Sequence, residues 1–397
     1  MSQEFTHQER VRAAIQHQVT DKTPCDFLAT SEVWDLMVEH FKPDRAGLDD
    51  MDWLDPAREA ILRMLDVDCR LFSYDMFCAP PPEVIKPGAG VDWWSTLIRS
   101  TPNRMWRQIT PDGRLHDIWG VPYQIETHAF GRYEGIANWV LAGATSAGDL
   151  KDHPWPSPDW WDFSALPAMI DRLQQAGPYH VRFRLGSFFE QAWALRGLEQ
   201  FMLDIMIDPS IPAYIMDRIL EVMLENLKIV LDLAGDKLDM VYTYDDVATQ
   251  KSLMISPKAW RQLVKPRHQK ILDLIHRYGK PAMYHCDGAV APLIPELIDM
   301  GVNVLNPIQP DAAGMEPATL KAQYGRQLTF HGGIDIIKTL PRGTAEQVKQ
   351  EVRARVQVLG ADGGYIMCSS HHIQPDTPLE NVLAMYDPVL RLPDQAG

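Results

Sequence analysis

The chain has 397 residues, 46% of them hydrophobic, and 53 acidic against 38 basic residues give a formal net charge of −15. That length can bury a large core, as two or three domains or as one barrel, while an acidic surface with no basic stripe repels a phosphate backbone and excludes nucleic acid as the expected partner. No run of about 18 apolar residues is present, which excludes a membrane-spanning helix. Met1-Ser2-Gln3-Glu4-Phe5-Thr6 lacks the cationic flank and apolar segment of a secretory signal. Five widely spaced cysteines (Cys25, Cys69, Cys78, Cys286, Cys368), with no CxxC pair, point to a reducing cytoplasm and no disulfide framework.

Eight apolar strand candidates follow along the chain: Thr23 to Ala29, Cys69 to Tyr74, His180 to Gly186, Met240 to Asp246, Pro281 to Gly288, Asn303 to Gln309, Leu328 to Asp335 and Gly363 to His371. Between them Pro209 to Leu233, Pro257 to Tyr278 and Thr344 to Leu359 carry apolar residues at three- and four-residue spacing, as amphipathic helices do. Thr344 with Gln347 three residues on has the pattern of a capping box. Alternating strands and helices imply a parallel sheet, and eight strands favour a closed α/β (β/α)8 TIM barrel, one domain over 1–397, above an open doubly wound sheet.

One region, about 77–166, breaks the alternation and is rich in Pro, Trp and Gly. Within it Arg107 to Thr110 and Arg114 to Asp117 flank Pro111-Asp112-Gly113, a hairpin signal. It reads as an insertion after the second strand, carrying a small antiparallel sheet that covers one end of the barrel.

Barrel active sites lie at the C-terminal ends of the strands. Those ends hold Asp26, Ser73 with Asp75, Arg184, Asp245 with Asp246, His285 with Asp287, Gln309, His331 with Asp335, and His371. Strand alternation turns His285 and Asp287 to one face and Cys286 to the other; the pair reads equally as two metal ligands or as a hydrogen-bonded couple that orders a strand end. His371 reads as a working group or as a loop-fixing histidine. Asp245 and Asp246 are adjacent, so one faces inward and one outward, and either a substrate acid, a further ligand or a helix cap is open to them. Gly332-Gly333 is either an anion cradle or a plain tight turn, and the cysteines read first as small buried hydrophobes.

The chain resembles the uroporphyrinogen decarboxylase superfamily, which includes zinc-dependent methyltransferases that take methyl groups from methylcobamide. The resemblance is carried by Glu9-Arg10-Val11-Arg12-Ala13-Ala14, Gly186 to Trp193, Asp245 to Gln250 with Ile255-Ser256-Pro257, His331-Gly332-Gly333-Ile334-Asp335, Gly363-Gly364-Tyr365-Ile366, His371, and Pro375 to Val382. The methyltransferase branch places a His-x-Cys at the fifth strand and a Cys at the eighth around zinc. The matching positions here hold His285, Asp287 and His371, a harder set that suits Zn²⁺ or another divalent metal and leaves an open position. The decarboxylase branch uses an Arg-rich first strand, replaced here by Lys22 to Ala29, a second-strand Asp that Asp75 loosely matches, and an eighth-strand His that His371 fits.

The resemblance implies a metal-dependent methyltransferase acting between a corrinoid on a partner protein and a thiol or similar small-molecule acceptor. His285, Asp287 and His371 hold the ion in that reading, Asp246 and His371 serve the chemistry, and Glu190, Asp245, Gln309, Arg184 and His331 bind substrate. The alternatives are a metal-independent decarboxylase of uroporphyrinogen or a related acid, with Asp75 or Asp246 stabilising a protonated ring and His371 moving a proton, and a non-catalytic corrinoid- or tetrapyrrole-binding protein. Family analogy adds a homodimer.

Overall fold

A computed structural model of the protein describes residues 4–48, 50–94, 102–128 and 131–387. Met1 to Gln3 of the N-terminal stretch, and 95–101 and 129–130 of the Pro/Trp-rich region, lie outside the described residues. In chain order the strands are β1 (Cys69–Ser73), β2 (Gly90–Asp92), β3 (Arg107–Ile109), β4 (Leu115–His116), β5 (Pro122–His128), β6 (Gly131–Ile136), β7 (His180–Gly186), β8 (Met240–Tyr244), β9 (Ala282–His285), β10 (Val304–Ile308), β11 (Thr329–Ile334) and β12 (Tyr365–Ser369).

β1 and β7 to β12 form a curled seven-stranded parallel sheet in the order β1-β7-β8-β9-β10-β11-β12. The segment expected as the first strand, Thr23 to Ala29, is not a regular strand. Pro24 has no N–H to give to a ladder, and only single parallel bridges form, Cys25 to Met367 and Ala29 to Ile373. Cys25 C=O also accepts from Asp68 N–H at 3.0 Å, so this extended segment lies between β12 and the chain that enters β1.

Side-chain alternation divides the sheet into two faces. On β7, Val181, Phe183 and Leu185 join the large core beneath the helices, while Arg182 and Arg184 line the inner cleft. At the N-terminal ends of the strands Cys69, Met240, Met283, Val304 and Ile366 meet around Val11 in a separate apolar cluster. Val11 comes from the helix His7–Ile15, which starts on a Thr6/Glu9 capping box. Arg10, almost fully buried, anchors that helix on Asp21 and Asp68. The Glu9 to Ala14 stretch is therefore a floor across one end of the curled sheet.

Helix Ser210–Ala234 buries one stripe (Ile215, Ile219, Leu227 and Val230 among others) and follows the expected span closely. Pro257 to Tyr278 is not one uniform helix: Trp260–Val264 forms a π-helical turn before the helix Lys265–Arg277. Pro266 cannot donate to the α ladder there. The Thr344/Gln347 capping box is present. In the Pro/Trp-rich region β2 to β6 form a five-stranded antiparallel sheet, and Gly113, at φ +80°, turns β3 into β4 where the hairpin was expected. No helix among the described residues is long and apolar enough to cross a membrane. All five cysteines are buried.

Candidate active site

The ends of β8 and β9 converge on one point. His285 Nε2 lies 3.7 Å from Asp246 Oδ1 and 3.8 Å from Asp287 Oδ1, and one potential ligand atom from each of the three residues falls within 4.8 Å of the others. The other ring nitrogen of His285, Nδ1, sits 2.5 Å from Asn306 Oδ1 on β10. His371, two residues past β12, places Nε2 at 3.4 Å from Asp287 Oδ2.

Backbone and amide donors fix the carboxylates. Asp246 Oδ1 accepts from Asp287 N–H at 2.7 Å, and Glu190 Oε1 accepts from Asp246 N–H at 2.9 Å. Gln309 Nε2 donates to Asp287 Oδ1 at 2.8 Å, while Gln309 Oε1 accepts from Gly288 N–H and Gln250 Nε2, both at 2.8 Å. With both acceptor bonds drawn from fixed partners, the amide of Gln309 has only one orientation open to it, NH₂ toward Asp287.

Crowded negative charge in a partly dry site is costly, and the protonation equilibria register it. Burial, together with Asp246 and Asp245, pushes the carboxyl of Glu190 well above its ordinary range. Burial also raises Asp287, with His285 and His371 pulling the other way and Asp246 adding to the rise. A cation among these groups relieves the crowding, and a divalent ion fits the donor set of one imidazole and two carboxylates.

From the trio His285 faces a cleft lined also by Arg184, Tyr242, Asn306, His371 and His372 among others. Asp287 and His371 line a second cleft, of about 480 Å³, with Gln250, Gln309, Asp335 and Ser370. His371 thus stands between the two.

Three residues expected to bind substrate, Glu190, Asp245 and His331, line neither cleft. Asp245 is fully buried: its Oδ1 accepts from the N–H groups of Phe189 and Glu190, capping the helix Phe189–Arg196, and its Oδ2 lies 2.8 Å from His268 Nε2. His331 is fully buried with both nitrogens engaged, Nδ1 by Asn306 and Nε2 by Asp26 at 2.9 Å. Glu190 and Gln309 act on the trio, and Arg184 does line the cleft. Asp75 lies beside Arg184, 3.3 Å from Nη2, while Arg184 Nε donates to Ser73 at 3.0 Å. In the expected ligand set Asp246 takes the place beside His285 and Asp287, and His371 adjoins it through Asp287 alone. Cys286 points away and accepts from Val247 N–H. Gly332 is a packing position, since a Cβ there meets Pro307 Cβ at 3.1 Å.

The residue that sequence reasoning missed is Asn306. Its only signal is a polar amide inside the apolar strand Val304–Ile308, where an unpaired polar group costs free energy. A second converging group, Asp26, His331 and Cys368, lies wholly in the interior. Asp26 is already paired with Arg182, and burial with Asp26 nearby pushes the Cys368 thiol far up.

Residues 185–392, just over half of the chain, match the family model of uroporphyrinogen decarboxylase (URO-D). The protein belongs to the uroporphyrinogen decarboxylase family. Its fold is shared with a methyltransferase from Methanosarcina mazei, at 17% identity and a TM-score of 0.64, over 98% of each chain. The endo-1,4-beta-xylanase XylE of Penicillium canescens aligns with 61% of this chain and 83% of its own, at 11% identity and a TM-score of 0.36, too low to bear on the fold. No protein with a curated description matches the sequence.

Proposed function

We propose that the protein is a metal-dependent methyltransferase that moves a methyl group between a corrinoid carried by a partner protein and a thiol or similar acceptor. The observation that carries this reading is the convergence of His285 Nε2 with Asp246 and Asp287, where His285 lines one cleft and Asp287 the next. These three residues would hold Zn²⁺ or another divalent ion, and the carboxylates widen the choice toward harder metals. Such an ion supplies Lewis acidity that favours the anionic form of a thiol.

The chain's own groups supply the rest. His371, between the two clefts and braced by Asp287, is placed to take the acceptor's proton. Glu190, whose carboxyl is pushed well above its ordinary range by burial and the neighbouring carboxylates, holds Asp246 in place by accepting from its N–H at 2.9 Å. Arg184 and Tyr242 orient the substrate from the cleft wall. On the same reading the segment Thr23 to Ala29 completes a closed barrel as its first strand, 77–166 is an insertion in a single domain, and the protein works in the cytoplasm.

Family membership leaves the decarboxylase as the competing activity, with Asp75 beside Arg184 at 3.3 Å as its candidate acid. The deciding experiment incubates metal-loaded and metal-stripped protein with methylcobalamin and small thiols, and in parallel with uroporphyrinogen. Metal-dependent loss of the methyl group to thiol supports the proposal. Metal-independent release of CO₂ from uroporphyrinogen replaces it with the lyase, and corrinoid binding without turnover replaces it with a carrier.

A further inference from the structure

The ring of His285 is the end of a buried hydrogen-bonded row. His285 Nδ1 meets Asn306 Oδ1 at 2.5 Å, Asn306 Nδ2 meets His331 Nδ1 at 2.5 Å, and His331 Nε2 meets Asp26 Oδ2 at 2.9 Å. Asp26 is paired with Arg182. The row crosses β9, β10 and β11 and ends on the 24–30 segment, and apart from His285 its members are fully or almost fully buried.

Its direction follows from the far end. A carboxylate paired with a guanidinium only accepts hydrogen bonds, so His331 presents Nε2–H to Asp26. Burial outweighs Asp26 and lowers the pKa of His331, and with its hydrogen on Nε2 the ring offers Nδ1 as the acceptor that Asn306 Nδ2 meets at 2.5 Å. Asn306 must then turn its NH₂ toward His331 and its carbonyl oxygen toward His285. That oxygen accepts only if His285 carries its hydrogen on Nδ1, which leaves the Nε2 lone pair facing Asp246 and Asp287. Reversing the amide of Asn306 would place lone pair against lone pair at His331, at a cost no neighbouring group offsets.

We infer that Asp26, His331 and Asn306 are positioning residues that hold His285 in the one tautomer able to ligate a cation beside Asp246 and Asp287. The inference extends the metal reading above, and its tautomer part stands without it. None of the three residues is paired with His285 Nε2, Asp246 or Asp287, so they act on the ion through His285.

The test is ¹⁵N NMR of the histidine rings in metal-free protein, at a pH where the His285 ring is neutral, followed by zinc titration calorimetry. Wild type should show His285 with hydrogen on Nδ1. Asp26→Asn, which leaves only a neutral amide where Oδ2 accepts from both Arg182 and His331, weakens the acceptor for His331 Nε2–H and should move part of the His285 population to the Nε2–H form. Asn306→Leu, which removes both bonds and leaves Arg182 its partner, should leave a mixture and covers the case in which Asp26→Asn does not fold. Asn306→Asp retains an acceptor for Nδ1–H and should keep the wild-type tautomer. Zinc affinity should fall about 10- to 100-fold in Asp26→Asn and Asn306→Leu and less in Asn306→Asp. Hydrogen on Nε2 in the wild type, or an unchanged tautomer in Asn306→Leu, overturns the inference and leaves the metal reading standing. A wild type with the stated tautomer that binds no zinc overturns the metal reading and leaves the row standing.

Discussion

Asp287 Oδ2 lies 3.4 Å from His371 Nε2, while its other oxygen faces His285 at 3.8 Å. One carboxylate therefore joins the trio that can hold an ion to the histidine that stands over both clefts. This division of labour predicts that His371→Ala leaves metal content unchanged and lowers kcat for methyl transfer by about 10²- to 10⁴-fold, the range expected when a positioned acid–base group is lost. Metal analysis and steady-state kinetics on the same preparation check both halves.

Gln309 holds Asp287 by an amide whose orientation Gly288 and Gln250 dictate. Gln309→Leu keeps the volume and removes the donor. Metal affinity should weaken by about 10-fold or more, with far-ultraviolet circular dichroism unchanged, and calorimetric titration of the ion reads the effect.

Asp245 reads as structural. Asp245→Ala strips two backbone N–H groups of their acceptor and leaves His268 buried without its carboxylate. The expected loss is about 2–4 kcal/mol of folding stability, seen as a lower urea midpoint with an unchanged slope.

His180 supplies a pH dependence far from the clefts. It is fully buried, and burial, against the opposing pull of Asp239, depresses its pKa to about 4. Between its ordinary unfolded value and about 4 the unfolded chain binds a proton that the folded one refuses. Stability tied to this group is thus complete above the unfolded pKa and is lost as pH falls through the folded one, a drop on the order of 3 kcal/mol. His180→Phe should flatten that part of the acid limb in urea unfolding at several pH values.

Much of the architecture was legible because strand candidates are short apolar runs with fixed spacing. His180 to Gly186 matches β7 residue for residue, and the hairpin at Pro111-Asp112-Gly113 follows from turn chemistry alone. The first segment misled because its apolar content resembles a strand while Pro24 denies it a ladder. At the site, alternation correctly paired His285 with Asp287. It did not show which of Asp245 and Asp246 faces inward, because that depends on where His268 and the helix Phe189–Arg196 pack. His331 looked like a rim residue for the same reason: its partner Asp26 is 305 residues away in sequence, and no local pattern reports such a bond. Asn306 carries no charge and belongs to no metal-ligand pattern, so only the folded arrangement reveals it.

The most direct measurement is elemental analysis by mass spectrometry of the purified protein after reconstitution with Zn²⁺ and with other divalent ions, for wild type, His285→Ala, Asp246→Asn and His371→Ala. The account requires near-stoichiometric metal in the wild type and in His371→Ala, and its loss from His285→Ala and Asp246→Asn. Metal absent from the wild type, or retained when His285 and Asp246 are replaced, would contradict it.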